Sequence, residues 1–321
     1  MILGLLLAVH LLCVNVAAGG PVLGAWLDWR ALRGDEAAGQ AAKYLARAAL
    51  FALAIGAMLG IAMGGLKWDA AYRELWMTRL SYKLHWAVLE VLFSLLLMGV
   101  WWFWLPGKAG GGGSGTVARI AVAILASTNL LYHFPPLFSI AAELSALGQT
   151  GGERIGAGSF RSLMTASPIP SLWIHVVFAS LAAAGVTLLG LALRLQRAGE
   201  LHRAGRVAAW GGRWALVASL AQLPTGLWTL ASLPSHTQGH LMGQDAIATL
   251  LFVAAMLAAF WLMQELFQAA FGTIARPVLI RAMGALLVTV SLMTLMHTRA
   301  RQSAGGPPRA PEIELLPRSG P

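Results

Sequence analysis

The sequence predicts an all-α fold, a polytopic membrane bundle of about eight transmembrane helices. Three observations carry this. The 321 residues are 58% hydrophobic and only 11% charged, with a mean hydropathy of +0.68, which places the chain outside the range of water-soluble domains. The apolar residues fall into runs long enough for helices that cross a bilayer, which need about 20 residues each. The 23 Lys and Arg sit mainly in the short stretches between those runs, where such charges set topology.

Taken in order, the runs cover 2–27, 44–66, 81–105, 117–139, 171–193, 208–232, 243–268 and 277–297. The first, MILGLLLAVHLLCVNVAAGG, lacks the basic start of a cleaved signal and reads as a retained helix. AGGGGSG after Lys108 and residues 150–158 read as flexible connectors. The bundle therefore occupies 1–298, and the Pro-rich tail 299–321 reads as disordered. Trp101, Trp102 and Trp104 read as an interfacial aromatic belt, and Gln264 with Glu265 as interfacial polar residues.

Charge and cysteine exclude several functions. The net charge of +10 is spread over loops rather than gathered into a nucleic-acid patch, so no nucleic-acid partner is expected. Cys13 is the only cysteine, which removes disulfides, Cys-x-x-Cys-His haem attachment and thiolate metal centres. The loop before span six and that span's first turns carry five arginines, and the loop after it carries no Lys or Arg. That contrast places the N-terminus outside.

The residues that bear chemistry are intramembrane histidines and one acid. In an up-and-down bundle His10, His85, His133, His175, His236, His240 and His297 all fall toward one membrane face, with His202 alone on the other. Imidazole inside a span is costly to keep, and it is a common ligand of haem iron. His175, near the start of the fifth span, is the foremost candidate; the plain alternative is a hydrogen bond to a neighbouring carbonyl. Glu90, deep in the third span, reads either as a proton-handling or haem-facing acid or as a protonated carboxyl bonded to a neighbouring helix. His85 and His133 are weaker candidates, readable as ligands or as packed core histidines. His236 and His240 read as solvated loop residues, with a haem or partner contact as the alternative, and His297, near Arg299 and Arg301, as a headgroup-level residue.

Several segments together resemble subunit I of the cytochrome bd quinol oxidases, in shortened form. They are His10 in LLLAVHLLCV, the Gly-rich LFALAIGAMLGIAMG, Glu90, ASTNLLYHFPPLFSIAAELSALG with Asn129, ASPIPSLWIHVVFASLAAAG with His175, and GHLMGQDAIATLL with Met242. The resemblance implies that His175 and Met242 hold a low-spin haem b, that His10 holds a second haem b, and that Glu90 is one of two family acids. The other acid's position is occupied by Tyr82 or Met98, depending on the alignment, which argues against haem d. The family's long quinol loop is reduced to LPSHTQGHLM.

The function expected is that of a haem b-binding electron-transfer protein of a respiratory-type complex, carrying one or two haems through the irons held by His175, Met242 and His10. It would sit in a bacterial-type inner membrane among lipids, with a partner membrane subunit and cytochrome c or quinol as donor. A terminal oxidase using Glu90 is the second reading, and a haem-free transporter or metal-binding scaffold the third.

Overall fold

In the computed structural model, which describes residues 2–103, 114–272 and 275–303, the described residues are almost all helical. The long helices are α1 (Ile2–Leu32), α2 (Glu36–Leu66), α4 (Ser81–Phe103), α5 (Ser114–Ala146), α7 (Ile169–Arg197), α8 (Leu201–Ser232), α10 (Ala246–Phe271) and α11 (Arg276–Ser303). Shorter pieces are α3 (Ala70–Glu74), α6 (Ala157–Thr165) and α9 (Ser235–Gly239), with π-helical turns at Leu75–Arg79 and His240–Gln244. Seven helices are long and apolar enough to cross a membrane, and eight if α8 with its continuation, bent by 119°, is one span.

Most helices run beyond the apolar windows, because a helix continues into the headgroup region where charged residues are welcome. The α1–α2 connection closes in three residues: Gly34 takes a φ of +88°, and Asp35 caps α2 by accepting from the Ala38 amide at 3.2 Å. Asp245 caps α10 in the same way, accepting from Ile247 and Ala248. α11 runs to Ser303, five residues past the boundary drawn at 298; the rest of the tail, most of the glycine connector and Trp104 lie outside the described residues.

α1 is the central element, packing on α2, α5, α7 and α11. Small residues let these backbones approach, as membrane helix packing requires. Gly19 lies directly on the Ser180 carbonyl of α7, and a Cβ at Gly185 would stand 2.6 Å from the Gly211 carbonyl of α8. The main core combines alanines of α2 with leucines of α1 and α7 and with Trp101 of α4.

Trp101 corrects its reading as a belt residue. It is fully buried, and its Nε1 donates to the Asp28 carboxylate at 3.0 Å. Arg119 of α5, itself buried, donates to the same Asp28 oxygen at 2.8 Å and to the Trp101 carbonyl at 2.7 Å. Glu265, near the end of α10, is buried among the helices: it accepts from Arg281 at 2.7 Å and from Trp261 at 3.3 Å, joining the end of α10 to the start of α11.

Candidate functional site

The depth of each histidine follows from cross-helix hydrogen bonds and the 1.5 Å rise per residue of a helix. Ser180 of α7 donates to Asn15 of α1 at 2.9 Å. The two helices run parallel, because the end of α1 and the start of α8 meet at Asp35 and α7 turns back into α8. His10 and His175 each lie five residues before that bond, about 7.5 Å along the axis, so they share one level. Ser127 of antiparallel α5 donates to the Ala18 carbonyl at 2.6 Å; six residues on, about 9 Å along, comes His133. Asn129 of α5 donates to the Glu90 carbonyl at 3.0 Å and to Ser94 at 2.9 Å, which brings Glu90 of α4 into the same layer. The structure thus gathers His10, Glu90, His133 and His175 near one end of the bundle.

Each has a distinct environment. His10 Nδ1 lies 2.8 Å from the Gly56 carbonyl of α2. A carbonyl only accepts, so Nδ1 carries the proton and Nε2 is left with its lone pair, the state that ligates a metal. Gly60 makes room for the ring, since a Cβ there would stand 3.1 Å from His10 Cε1. His175 Nδ1 is buried and has no hydrogen-bond partner in the structure, so the carbonyl bond that would explain this histidine by packing alone is not made.

The ring of His175 is positioned from two residues away. Pro135 has no N–H, which frees the Leu131 carbonyl in α5, and Trp173 Nε1 of α7 fills the gap at 2.6 Å. A proline in one helix therefore anchors another just before its histidine.

Glu90 and His133 meet, with His133 Nδ1 3.1 Å from Glu90 Oε1. His85 is exposed and its Nδ1 donates to Ser81 in its own helix at 2.7 Å, so it joins no cluster. Met242 lies in the second π-helical turn with φ −107°, followed by Gly243 at φ +121°, and its side chain is 67% exposed. This turn packs on α10 and α11 rather than on α7, so Met242 and His175 are on separate walls.

His240 in the same turn departs from its solvated reading: its Nδ1 is buried and unbonded, a residue the sequence underrated because the loop around it is polar. His236 is exposed as expected. Arg299 pairs with Asp245 at 2.9 Å, closing the end of α11 onto the start of α10. Among the described residues no three His, Cys, Asp or Glu side chains gather to hold a bare metal ion.

The chemistry of the donor set suits haem. One imidazole has a fixed tautomer, another has a buried unsatisfied nitrogen, and a thioether stands on a third element; haem iron asks for one or two such ligands per centre.

No family model matches the chain, and no curated protein matches it in sequence. Among solved structures it is similar to a chain of the bd oxidase from Geobacillus thermodenitrificans, with 14% sequence identity and a TM-score of 0.75 over 94% of this chain and 85% of that one. The chain is a multi-pass membrane protein with the fold of a bd oxidase chain.

Proposed function

We propose that this protein binds haem b in the membrane and transfers electrons as part of a respiratory-type complex, as a divergent relative of cytochrome bd subunit I. The observation that carries the reading is the His10–Gly56 hydrogen bond, which holds a ring nitrogen ready for iron; the unbonded nitrogen of His175 and the shared fold add to it. His10 would hold one haem and His175 with Met242 another, in a bacterial-type inner membrane with the N-terminus outside. Bound haem would supply one-electron chemistry. The chain's own residues orient the rings, through Gly56 and Trp173, and exclude water around them. The donor would be quinol or cytochrome c, with a partner membrane subunit completing the complex.

The oxidase reading is favoured by one observation, the pairing of Glu90 with His133 beside the His10 layer, since a carboxylate with an imidazole partner is suited to holding a proton. The haem-free metal scaffold has no cluster among the described residues to support it.

The test is a reduced-minus-oxidised spectrum of the purified protein with a count of haem per chain. One or two b-type haems support the reading, and a chain that binds none overturns it. Oxygen uptake with quinol or reduced cytochrome c then separates carrier from oxidase.

A further inference from the structure

At the end of the bundle opposite the histidine layer, the close of α1, the start of α2 and the start of α8 line an open cleft of about 650 Å³. Four arginines line it, Arg30, Arg33, Arg203 and Arg206, together with His202. The acids on its wall are Asp35 and Glu36, and Glu200 pairs with Arg203 at 2.8 Å. Asp35 binds both Arg30 and Arg206, so one carboxylate fixes two guanidiniums without neutralising them. Arg33 stacks on Trp29 at 3.9 Å and is within pairing distance of no carboxylate among the described residues. The positive ends of α2 and α8 also open here, adding to an anion-attracting field.

Depth says which anion reaches the cleft. Trp26 packs edge-on against Trp210 and Trp214 with ring centroids 6.0 and 5.7 Å apart, and Arg30 and Arg206 both lie over the Trp210 ring. Trp29, on the cleft wall at the end of α1, is exposed, and an exposed tryptophan at a helix end marks the headgroup level, where phospholipid phosphates are abundant. Guanidiniums held rigidly by stacking and ion pairs are the donors best matched to phosphate oxygens, and basic pockets between helices at this level take anionic headgroups.

We propose that this cleft is a phosphate-binding site occupied by the headgroup of an anionic phospholipid. The site is independent of haem and joins α1, α2 and α8 through a bound lipid.

The experiment titrates the purified full-length protein in neutral detergent with dihexanoyl phosphatidylglycerol, dihexanoyl phosphatidylcholine and sodium phosphate, followed by calorimetry and phosphorus NMR. Phosphatidylglycerol is expected to saturate at one per chain and to bind about tenfold tighter than phosphatidylcholine. Arg33→Gln should weaken it by about tenfold, the scale of one charge-assisted hydrogen bond, with an unchanged circular dichroism spectrum. Arg33 takes no part in the Asp35 pairing, so this variant keeps the test meaningful if Arg206→Gln fails to fold. Competition by sodium phosphate would show that the site also accepts the free anion; lack of competition assigns it to the lipid alone. Equal affinity for the two lipids, or an Arg33→Gln protein that binds like the wild type, overturns the proposal.

Discussion

His133 Nδ1 stands 3.1 Å from Glu90 Oε1, joining α5 to α4 within the layer that also holds His10 and His175. The carboxylate is only 15% exposed and the imidazole 34%, so each is the other's main polar partner. Asn129 braces the same contact by bonding the Glu90 carbonyl and Ser94.

Glu90→Gln keeps the size and a hydrogen bond while removing the titratable proton. For an electron carrier the b-type spectrum and the rate of haem reduction by an external donor stay within about twofold of wild type. Abolished oxygen uptake in this variant, with normal haem content, would instead establish the oxidase. General acid–base groups contribute about 10²–10⁴-fold, so the two outcomes are well separated.

His175→Ala is expected to remove one b-type haem per chain, read from the reduced-minus-oxidised spectrum. Met242→Ala, which loses only the axial thioether, should retain the haem and lower its midpoint potential, because a Met ligand raises it. A spectrum and potential unchanged in both variants would remove this pair from the site. His240→Ala is the informative control, because its buried nitrogen lies in the same turn as Met242.

Trp173→Phe tests the proline-to-tryptophan anchor. The Leu131 carbonyl, left free by Pro135, loses its indole donor, and hydrogen bonds between membrane helices are worth about 0.6–2 kcal/mol. A lowered melting temperature in detergent, with a shifted His175 haem band, is expected. A band that does not move would show that Trp173 holds α5 to α7 without orienting the histidine.

Asp28→Asn should be the most damaging of these changes. It leaves Arg119, only 1% exposed, without its carboxylate, and breaking a buried ion pair from one side costs about 3–5 kcal/mol. Trp101→Phe, which removes one donor to Asp28, should cost about 1–2 kcal/mol. Thermal unfolding in detergent, followed by circular dichroism, ranks the two.

Asp35 gives a pH dependence. Burial alone would raise its carboxyl, but the Ala38 amide and the Arg30 and Arg206 guanidiniums outweigh that and hold it below the usual carboxylate range. A depressed native pKa means that the carboxylate stabilises the fold above its unfolded pKa of about 3.9, and that this contribution is lost as the pH falls through the native value. The gap in melting temperature between wild type and Asp35→Asn should be constant from neutral pH down to about pH 5 and close below about pH 4. A gap that persists in acid would show that the pairing with arginine is not its source.

Much of this was legible from residues alone. Eight apolar runs gave the eight long helices, because the bilayer sets one minimum length for all of them. Alternation of direction then put His10, His133 and His175 on one side, and the Ser180–Asn15 and Ser127–Ala18 bonds bear that placement out; that Glu90 joins them came from the structure. Trp101 was misread because three neighbouring tryptophans at the end of an apolar run look alike, whereas Trp101 faces Asp28 of α1 and Trp102 packs on Phe51 of α2. The sign that could have singled it out is the pair of lone charges, Asp28 and Arg119, each at the edge of a predicted span. His240 was underrated for the opposite reason, since a polar loop says nothing of a sharp bend that folds it back onto the bundle.

The shallow position of the histidine layer bears on energetics. His10 lies eight residues from the start of α1 and His175 six from the start of α7, about 12 Å and 9 Å from those helix ends. With haems held by His10 and His175 as proposed, an electron passed between them would move along the plane of the bilayer and cross almost none of the membrane voltage. A full crossing is worth about 2.3 kcal/mol per charge at 100 mV, so transfer within the layer should be nearly indifferent to the membrane potential.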